Sequence, residues 1–433
     1  MSNKVRNFRL IILLIICFLA GYYFGVTKIS YDWKNYKPQI SVASKEPPSG
    51  VMSVDFAPFW VVWQKLQTDY YDKTKLDPQK MLNGAINGMI QTLGDPFTVY
   101  LPPVQNDSFK QGLAGQFSGI GAELGMKGSS IIVIAPISGS PAEKSGVRAG
   151  DTILKVDGNS TAGWTLPQAV EKIRGPKGTQ VKLTVIHKDT NSQTDINITR
   201  DVITVKSVDG WVKKVKDIEP LSLNKGKNPN IKKILEDKNL ADYEIAYVRL
   251  SQFGDNTNKD WTNLINTLNL KIRESNNFKG IILDLRNNPG GYLSDAVFIS
   301  SEFLPTGSKV VSEESGIENK TLSVERTGLL TDKPLVILVN KGSASASEIV
   351  AGALRDNKKT KLIGETTFGK GTIQQAEDLG NGSGLHVTIA KWLTPSGLWV
   401  NGVGLKPDIS VNLDSKDPSR DTQLEKAVEE LLK

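Results

Sequence analysis

The sequence predicts a multidomain α/β protein whose chemistry sits in its C-terminal half. Three features carry that expectation. Between residues 281 and 374, three apolar runs each lead into a glycine-rich turn; residues 103–200 break into short alternating segments punctuated by Gly and Pro; and residues 10–26 are apolar behind a basic N-terminus. A length of 433 residues suits about three domains. With 39% hydrophobic and 23% charged residues, the chain has material for packed cores. A single cysteine, Cys17, excludes an intrachain disulfide and a cysteine-based zinc site, and two histidines, His187 and His386, leave no basis for a histidine-rich metal centre. The expectation is no metal and no cofactor.

The first element is a membrane anchor at 1–27. Lys4, Arg6 and Arg9 precede the apolar run Leu10 to Val26, which as a helix reaches roughly 25 Å. The basic flank favours the cytoplasmic side, so the body that follows is expected outside the cell, on a single-pass protein of the cell membrane. A cleaved signal peptide is the competing reading, but the run lacks a small-residue cleavage pattern after it. Residues 28–54 are polar, carry Pro38, Pro47 and Pro48, and read as a linker. Residues 55–102 read as a small helical unit: Phe59, Val62, Trp63 and Leu66, then Leu82, Ala85, Ile86 and Met89, follow helical spacing, and Asp77-Pro78 is a helix start. This unit could mediate a homodimer.

In 103–200, Phe117-Ser-Gly-Ile-Gly-Ala122 opens an alternating segment, followed by Ser140-Pro-Ala-Glu-Lys-Ser-Gly146 and Ala149-Gly-Asp151 before an apolar strand. A helix is expected at 166–173 and a strand at 180–187, with His187 an ordinary residue of that strand. Free backbone N–H groups at Gly119, Ile120, Gly121 and Ala122 suit a C-terminal carboxylate, with strand addition alongside. This order of elements resembles a PDZ domain, which implies binding of polypeptide C-termini.

Nine lysines against five acids between Lys206 and Leu240 read as a solvated face, with Asn224–Asn230 as a surface loop; few aromatics are interleaved, and nucleic acid is not an expected partner. Residues 201–433 then hold the strand–turn–helix units. Ile281-Ile-Leu-Asp284 runs into Pro289-Gly-Gly291, Leu335-Val-Ile-Leu-Val339 into Gly342-Ser-Ala-Ser345, and Lys361-Leu-Ile-Gly364 into Gly369-Lys370-Gly371, after which the chain should continue as a strand. Continuous β-branched runs suit central strands covered on both faces. Gly364 to Lys370 nearly spells a P-loop, but Gly371 stands where the metal-binding hydroxyl belongs, so nucleotide hydrolysis is set aside.

A serine at the start of a helix has an exposed hydroxyl beside N–H groups that can hold an oxyanion. Without a suitable histidine, a lysine whose neutral form is favoured by burial can be its base. Ser345 and Lys370, 25 positions apart, fit that pair, with Ser343 and Ser347 the alternatives for the nucleophile. Gly342–Ile349, Phe368–Gln374, Tyr247–Leu250, Asp284–Gly291 and Gly402–Ile409 together resemble the carboxyl-terminal processing proteases, S41 family serine peptidases with a PDZ domain. The resemblance implies Ser345 as nucleophile, Lys370 as general base and Gln374 as the lysine's partner. It implies an oxyanion hole from Ala346 and one N–H of Gly290 or Gly291, with Arg249, Asp284 and Glu348 as supporting polar residues. Asp356, sometimes grouped with the catalytic residues, lies eleven positions from Ser345, about 16 Å along one continuous helix, which favours a structural role. The reading is a membrane-anchored endopeptidase that takes substrates by their C-termini; the alternative is a catalytically silent PDZ scaffold of the cell envelope.

Overall fold

Parallel β-strands whose C-terminal ends all open on one edge place the loops that carry the motifs. The structure, a computed structural model, describes residues 18, 29–34, 37–42, 54–127, 129–137, 139–148, 150–187, 192–204, 206–219, 221, 227–414, 417 and 420–433. The expected membrane segment at 1–27 lies outside these apart from Phe18, and among the described residues no helix is long and apolar enough to cross a membrane. The chain divides into two compact units, residues 1–106 with 375–387, and 107–374 with 388–433.

In the first unit the helices Ala57–Asp69 and Pro78–Gln91 form as their periodicity requires, the second capped by Asp77, whose carboxylate accepts from the N–H groups of Gln79 and Lys80. A difference appears in the stretch expected to be a linker, where Ile29–Lys34 pairs antiparallel with Lys37–Val42. Val99–Leu101 pairs with Gly384–His386.

The second unit holds two sheets of importance. In the first, strands run in the order 193–199, 180–186, 152–156, 130–136 and 122–127, so Ala122–Lys127 is an edge. Ile131, Val133, Ile153, Leu183 and Ile198 fill the core with Ala169 and Ile173 of the helix Leu166–Ile173. Asp201–Thr204 pairs with Gln116–Gly119, so this module extends to 204, and Pro103–Leu113 is a helix that precedes its strands rather than part of them. The surface loop expected at Asn224–Asn230 also ends early: Asn228 caps a helix that begins at Pro229.

The larger sheet runs Val208–Lys214, Glu244–Leu250, Phe278–Asp284, Leu335–Val339, Lys361–Gly364, Ile409–Ser410, parallel from the second strand onward. Strand alternation sorts its side chains onto two faces. Val248, Leu250, Leu283, Ile337 and Val339 pack beneath the helix Ala346–Lys358, whose Ile349 and Val350 are buried there. Ile245, Ile282, Val336, Leu338 and Ile363 pack against Leu424, Ala427 and Val428 of the C-terminal helix Thr422–Leu431.

That second face carries a buried polar chain. Arg286 donates from Nε and Nη2 to Asp284 (2.9 and 2.6 Å) and from Nη1 and Nη2 to Asp421 (2.8 Å each), and Tyr247 Oη donates to Asp284 at 2.7 Å. The carboxylates on both sides hold the guanidinium strongly charged despite its burial. Arg286→Ala strands Asp284, which is 2% exposed, without its cation. Urea denaturation should show a loss of roughly 3–5 kcal/mol, against little change for a substitution at the exposed Lys341.

Candidate active site

Four loops leave the C-terminal edge of the parallel strands: 251–256, 285–292, 340–345 and 365–371. Ligand sites of open α/β sheets lie along that edge. Ser345 ends the third loop as the N-cap of the helix Ala346–Lys358, half-buried, with φ 54° and ψ −116°. A non-glycine residue in that region is strained by about 1–3 kcal/mol and is held only by its surroundings. Ser343 and Ser347, the alternative nucleophiles, are fully buried and committed: Ser343 Oγ donates to Leu285 O (2.8 Å) and Ser347 Oγ to Asn288 O (2.9 Å).

What holds Ser345 is Glu348, three positions on and 0% exposed. Its Oε2 accepts from the N–H of Ser345 (2.9 Å) and of Lys370 (2.9 Å), and its Oε1 from the N–H of Gly369 (2.7 Å) and the hydroxyl of Thr367 (2.5 Å). One carboxylate therefore fixes the backbone of the serine turn against that of the lysine loop. Its charge also suits the helix N-terminus.

Further bonds tether the lysine loop. Phe368 N–H donates to Ser343 O (2.9 Å), Trp392 Nε1 to Lys370 O (2.9 Å), and Trp399 Nε1 to Gly371 O (2.9 Å). The segment 399–404 packs so closely that a Cβ on Gly369 would sit 2.8 Å from Gly404 N, and one on Gly371 2.7 Å from Asn401 N, which explains the glycines on either side of Lys370. Lys370 itself is half-buried. The chain then continues as the strand Thr372–Asp378, as expected. Gln374 Nε2 donates to the hydroxyls of Thr372 (2.8 Å) and Thr388 (3.1 Å), so its carbonyl oxygen is the end that can serve an amine.

The glycine pair comes next to the serine. Gly290 approaches so closely that a Cβ there would lie 2.8 Å from Ser345 Cβ and 3.0 Å from Ala346 N. Its N–H, however, donates to Asn288 Oδ1 at 2.9 Å. Gly291 (φ 140°) has Phe253 O where a Cβ would be, at 1.7 Å. Among the described residues the N–H groups of Gly291 and Ala346 have no hydrogen-bond acceptor. Of the two glycines left open by sequence, Gly291 is thus the one with a donor to offer.

Three expected residues fall elsewhere. Asp284 and its register partner Arg249 project from the sheet face opposite the serine helix, Asp284 inside the Arg286 chain and Arg249 exposed. Asp356 Oδ2 accepts from Ser396 N–H at 2.9 Å, fastening a turn to the far end of the helix. His187 lies just past its strand, with Nδ1 3.0 Å from Asp151 Oδ1.

Sequence reasoning missed Thr367, Asn288 and the pair beyond Gly291. Tyr292 Oη donates to Asp255 Oδ1 (2.9 Å), and burial, with that carboxylate, pushes its hydroxyl up to about 12. Asp295, 4% exposed, accepts from Asn258 Nδ2 at 3.0 Å, while its Oδ2 and Asn258 Oδ1 are buried without partners. Burial, reinforced by the nearby Asp255 charge, pushes its carboxyl up to about 6.

In the PDZ-like module, Gly119 ends one strand and Ala122 begins the edge strand. Between them the carbonyls of Ile120 and Gly121 accept from Ala142 and Ile137 (2.8 Å each), and among the described residues their N–H groups have no acceptor. The helix Leu166–Ile173 packs against the edge strand, leaving the expected cradle at one end of it.

A serine on a strained helix start, a lysine loop locked to it and a peptide-binding module define a serine protease with a PDZ domain. Comparison with known proteins agrees. Residues 244–411 match peptidase family S41, residues 132–186 a PDZ domain, and residues 14–103 the N-terminal domain of the activating protease CtpB. The chain is 37% identical over 351 residues to the carboxy-terminal processing protease CtpA of Bacillus subtilis (strain 168), spanning 81% of this chain and 68% of that one. It is 36% identical over 389 residues to a probable CtpA-like serine protease of Staphylococcus aureus (strain N315), spanning 89% and 69%. The solved photosystem II D1 C-terminal processing protease superposes with a TM-score of 0.50 at 29% identity, over 86% of this chain and 96% of that one. A putative S41 protease from Bacteroides fragilis NCTC 9343 shares the fold, with a TM-score of 0.54 at 14% identity over 92% and 99%. The chain belongs to peptidase family S41, among the carboxy-terminal processing serine proteases.

Two substitutions probe the site's construction. Glu348→Gln turns an amide donor either on the N–H groups of Ser345 and Lys370 or on that of Gly369; kcat on casein should fall about 100-fold and the fold should lose roughly 1–3 kcal/mol. Asp295 binds its proton more tightly folded than unfolded, where its pKa is about 3.9, so its contribution is full below that value and lost as pH rises through about 6. Asp295→Asn should therefore be the more stable protein above pH 6 by roughly 1–3 kcal/mol in paired denaturation curves, with the difference shrinking toward pH 4.

Proposed function

We propose that this protein is an endopeptidase anchored in the cell membrane by residues 1–27, its body outside the cell, which cleaves polypeptides by a Ser-Lys mechanism. The observation that carries the reading is the Glu348 carboxylate shared by the N–H groups of Ser345 and Lys370. It fixes the backbone of the serine turn relative to that of the lysine loop.

Lys370, as a neutral amine, takes the proton of Ser345 Oγ as that oxygen attacks the scissile carbonyl. The N–H groups of Ala346 and Gly291 receive the oxyanion, in a geometry that removes reorganisation from the barrier. The tetrahedral adduct collapses to an acyl-enzyme, and the ammonium of Lys370 protonates the departing amine. A water, deprotonated by the same lysine, then releases the acid. Gln374 Oε1 orients the amine without adding a charge beside it.

The PDZ domain supplies the substrate. A free C-terminus pairs with the edge strand Ala122–Lys127, its carboxylate taken by the N–H groups of Ile120 and Gly121, in the cradle that Gly119 and Ala122 bound. The exposed apolar surface of Trp60, Val61 and Val62 supports a homodimer through the N-terminal helices.

The test compares the full chain with Ser345→Ala and Lys370→Ala on casein, a loosely folded protein. Cleavage by the wild-type chain and none by either variant is expected, a drop of at least about 1,000-fold. Equal cleavage by Ser345→Ala would move the nucleophile elsewhere.

A further inference from the structure

A buried amide that the reaction does not touch bonds both the glycine turn and the serine turn. Asn288 is 0% exposed, and all of its polar atoms are engaged. Its Nδ2 donates to Leu250 O (2.8 Å), at the end of the neighbouring strand, and its Oδ1 accepts the N–H of Gly290 (2.9 Å). Its main-chain oxygen accepts from Ala344 N–H (3.0 Å) and Ser347 Oγ (2.9 Å), one residue before Ser345 and two after it. The glycine turn and the serine turn therefore meet at this one residue.

A carboxamide satisfies both side-chain partners without any change of protonation, because a donor must face the Leu250 carbonyl and an acceptor the Gly290 N–H. The second bond also has a consequence for catalysis. By taking the Gly290 N–H into the turn, it leaves the next N–H, that of Gly291, as the donor beside Ala346. The turn has other supports: Asn287 N–H donates to Asn340 Oδ1 (2.8 Å), Asn340 Nδ2 to Asn287 Oδ1 (2.9 Å), and Phe253 N–H to Gly290 O (3.0 Å). Asn340 also accepts the N–H of Gly342 (3.0 Å) and bonds Ser343. Asn288 is the one of these that joins the Gly290 N–H to Ala344 and Ser347, on either side of the nucleophile.

We propose that Asn288 is a positioning residue for the oxyanion hole: its side chain commits the Gly290 N–H internally and so presents the Gly291 N–H to the transition state. This rests on the Ser345 peptidase reading above. A group that acts only in this way alters stabilisation of the tetrahedral state and not substrate capture by the PDZ domain, so kcat moves and KM does not.

The experiment uses the full chain, fluorescein-labelled casein for kcat and KM, and an alkyl fluorophosphonate whose phosphonyl oxygen occupies the same hole when it labels Ser345. Rates are taken per folded molecule, with the folded fraction set by circular dichroism. Asn288→Ala should lower kcat about 100-fold with KM within about threefold, and should slow fluorophosphonate labelling in parallel. Asn288→Asp has the same shape and keeps the acceptor for Gly290, but when ionised turns an oxygen on Leu250 O. Assayed across about pH 5 to 9, it should lose about tenfold or more in kcat at the alkaline end, which covers the case in which the alanine variant fails to fold. If either folded variant turns over and labels within about threefold of wild type at that end, whatever its melting temperature, the inference is overturned while the peptidase reading stands. If the wild-type chain itself neither cleaves casein nor takes the fluorophosphonate at Ser345, the peptidase reading fails and takes this inference with it.

Discussion

A carboxylate with no exposed surface that collects three backbone N–H groups and a hydroxyl is an expensive thing to bury unless every bond is made. At Glu348 all four are made, to Ser345, Thr367, Gly369 and Lys370. The cost of leaving any of them unmade is what forces the lysine loop to close on the serine helix. The glycines around Lys370 follow from that constraint, since the loop must approach both the helix N-terminus and the segment 399–404 with no room for a Cβ. The strained dihedrals of Ser345 follow as well: the N–H that Glu348 holds belongs to the residue whose backbone is out of the ordinary regions.

The sheet gives this clamp something rigid to act on. Its four parallel strands from 244 to 364 place serine, lysine and glycine turns on one edge, and the apolar face under the serine helix contains fully buried Leu283, Ile337 and Val339. The opposite face is fixed by different means, an aromatic and charged chain from Tyr247 through Asp284 and Arg286 to Asp421. Asp284 is therefore two residues from Arg286 in a motif that leads to Gly290 and Gly291, yet it serves the C-terminal helix. It steadies the strand from which the glycine turn departs, at one remove from the chemistry.

Much of this was legible in the residues. The β-branched runs at 281–284, 335–339 and 361–364 are central strands because only such side chains suit two covered faces, and Asp77-Pro78 starts its helix for local reasons. The serine at a helix start and the lysine between glycines could be read from pattern. The rest depended on contacts distant in sequence. Glu348 shows locally as a helix-capping acid at the third position, but its bonds to residues 367–370 exist only once the loop has folded back. The side of the sheet on which Asp284 falls is a matter of parity, and parity is visible in sequence only when the helix that covers each face is already known. The backbone pairing of 29–34 with 37–42 was likewise not legible, because polarity and prolines suggested a linker there.

The two classes of polar residue at the site answer different demands. Ser345 and Lys370 are half-buried rather than hidden, and among the described residues the N–H groups of Ala346 and Gly291 have no acceptor, as the proposed reaction requires of its participants. Glu348, Asn288, Asn340 and Thr367 are saturated with partners and hidden. Saturation matters because a half-satisfied amide or carboxylate could relax by turning, and any such turn would shift the backbone N–H groups beside Ser345. A site assembled from four separate loops has no continuous backbone to enforce its geometry. The buried side chains supply that enforcement: Glu348, Asn288 and Asn340 each join a glycine amide to the backbone of another segment, and Thr367 joins the Glu348 carboxylate to the N–H of Leu405.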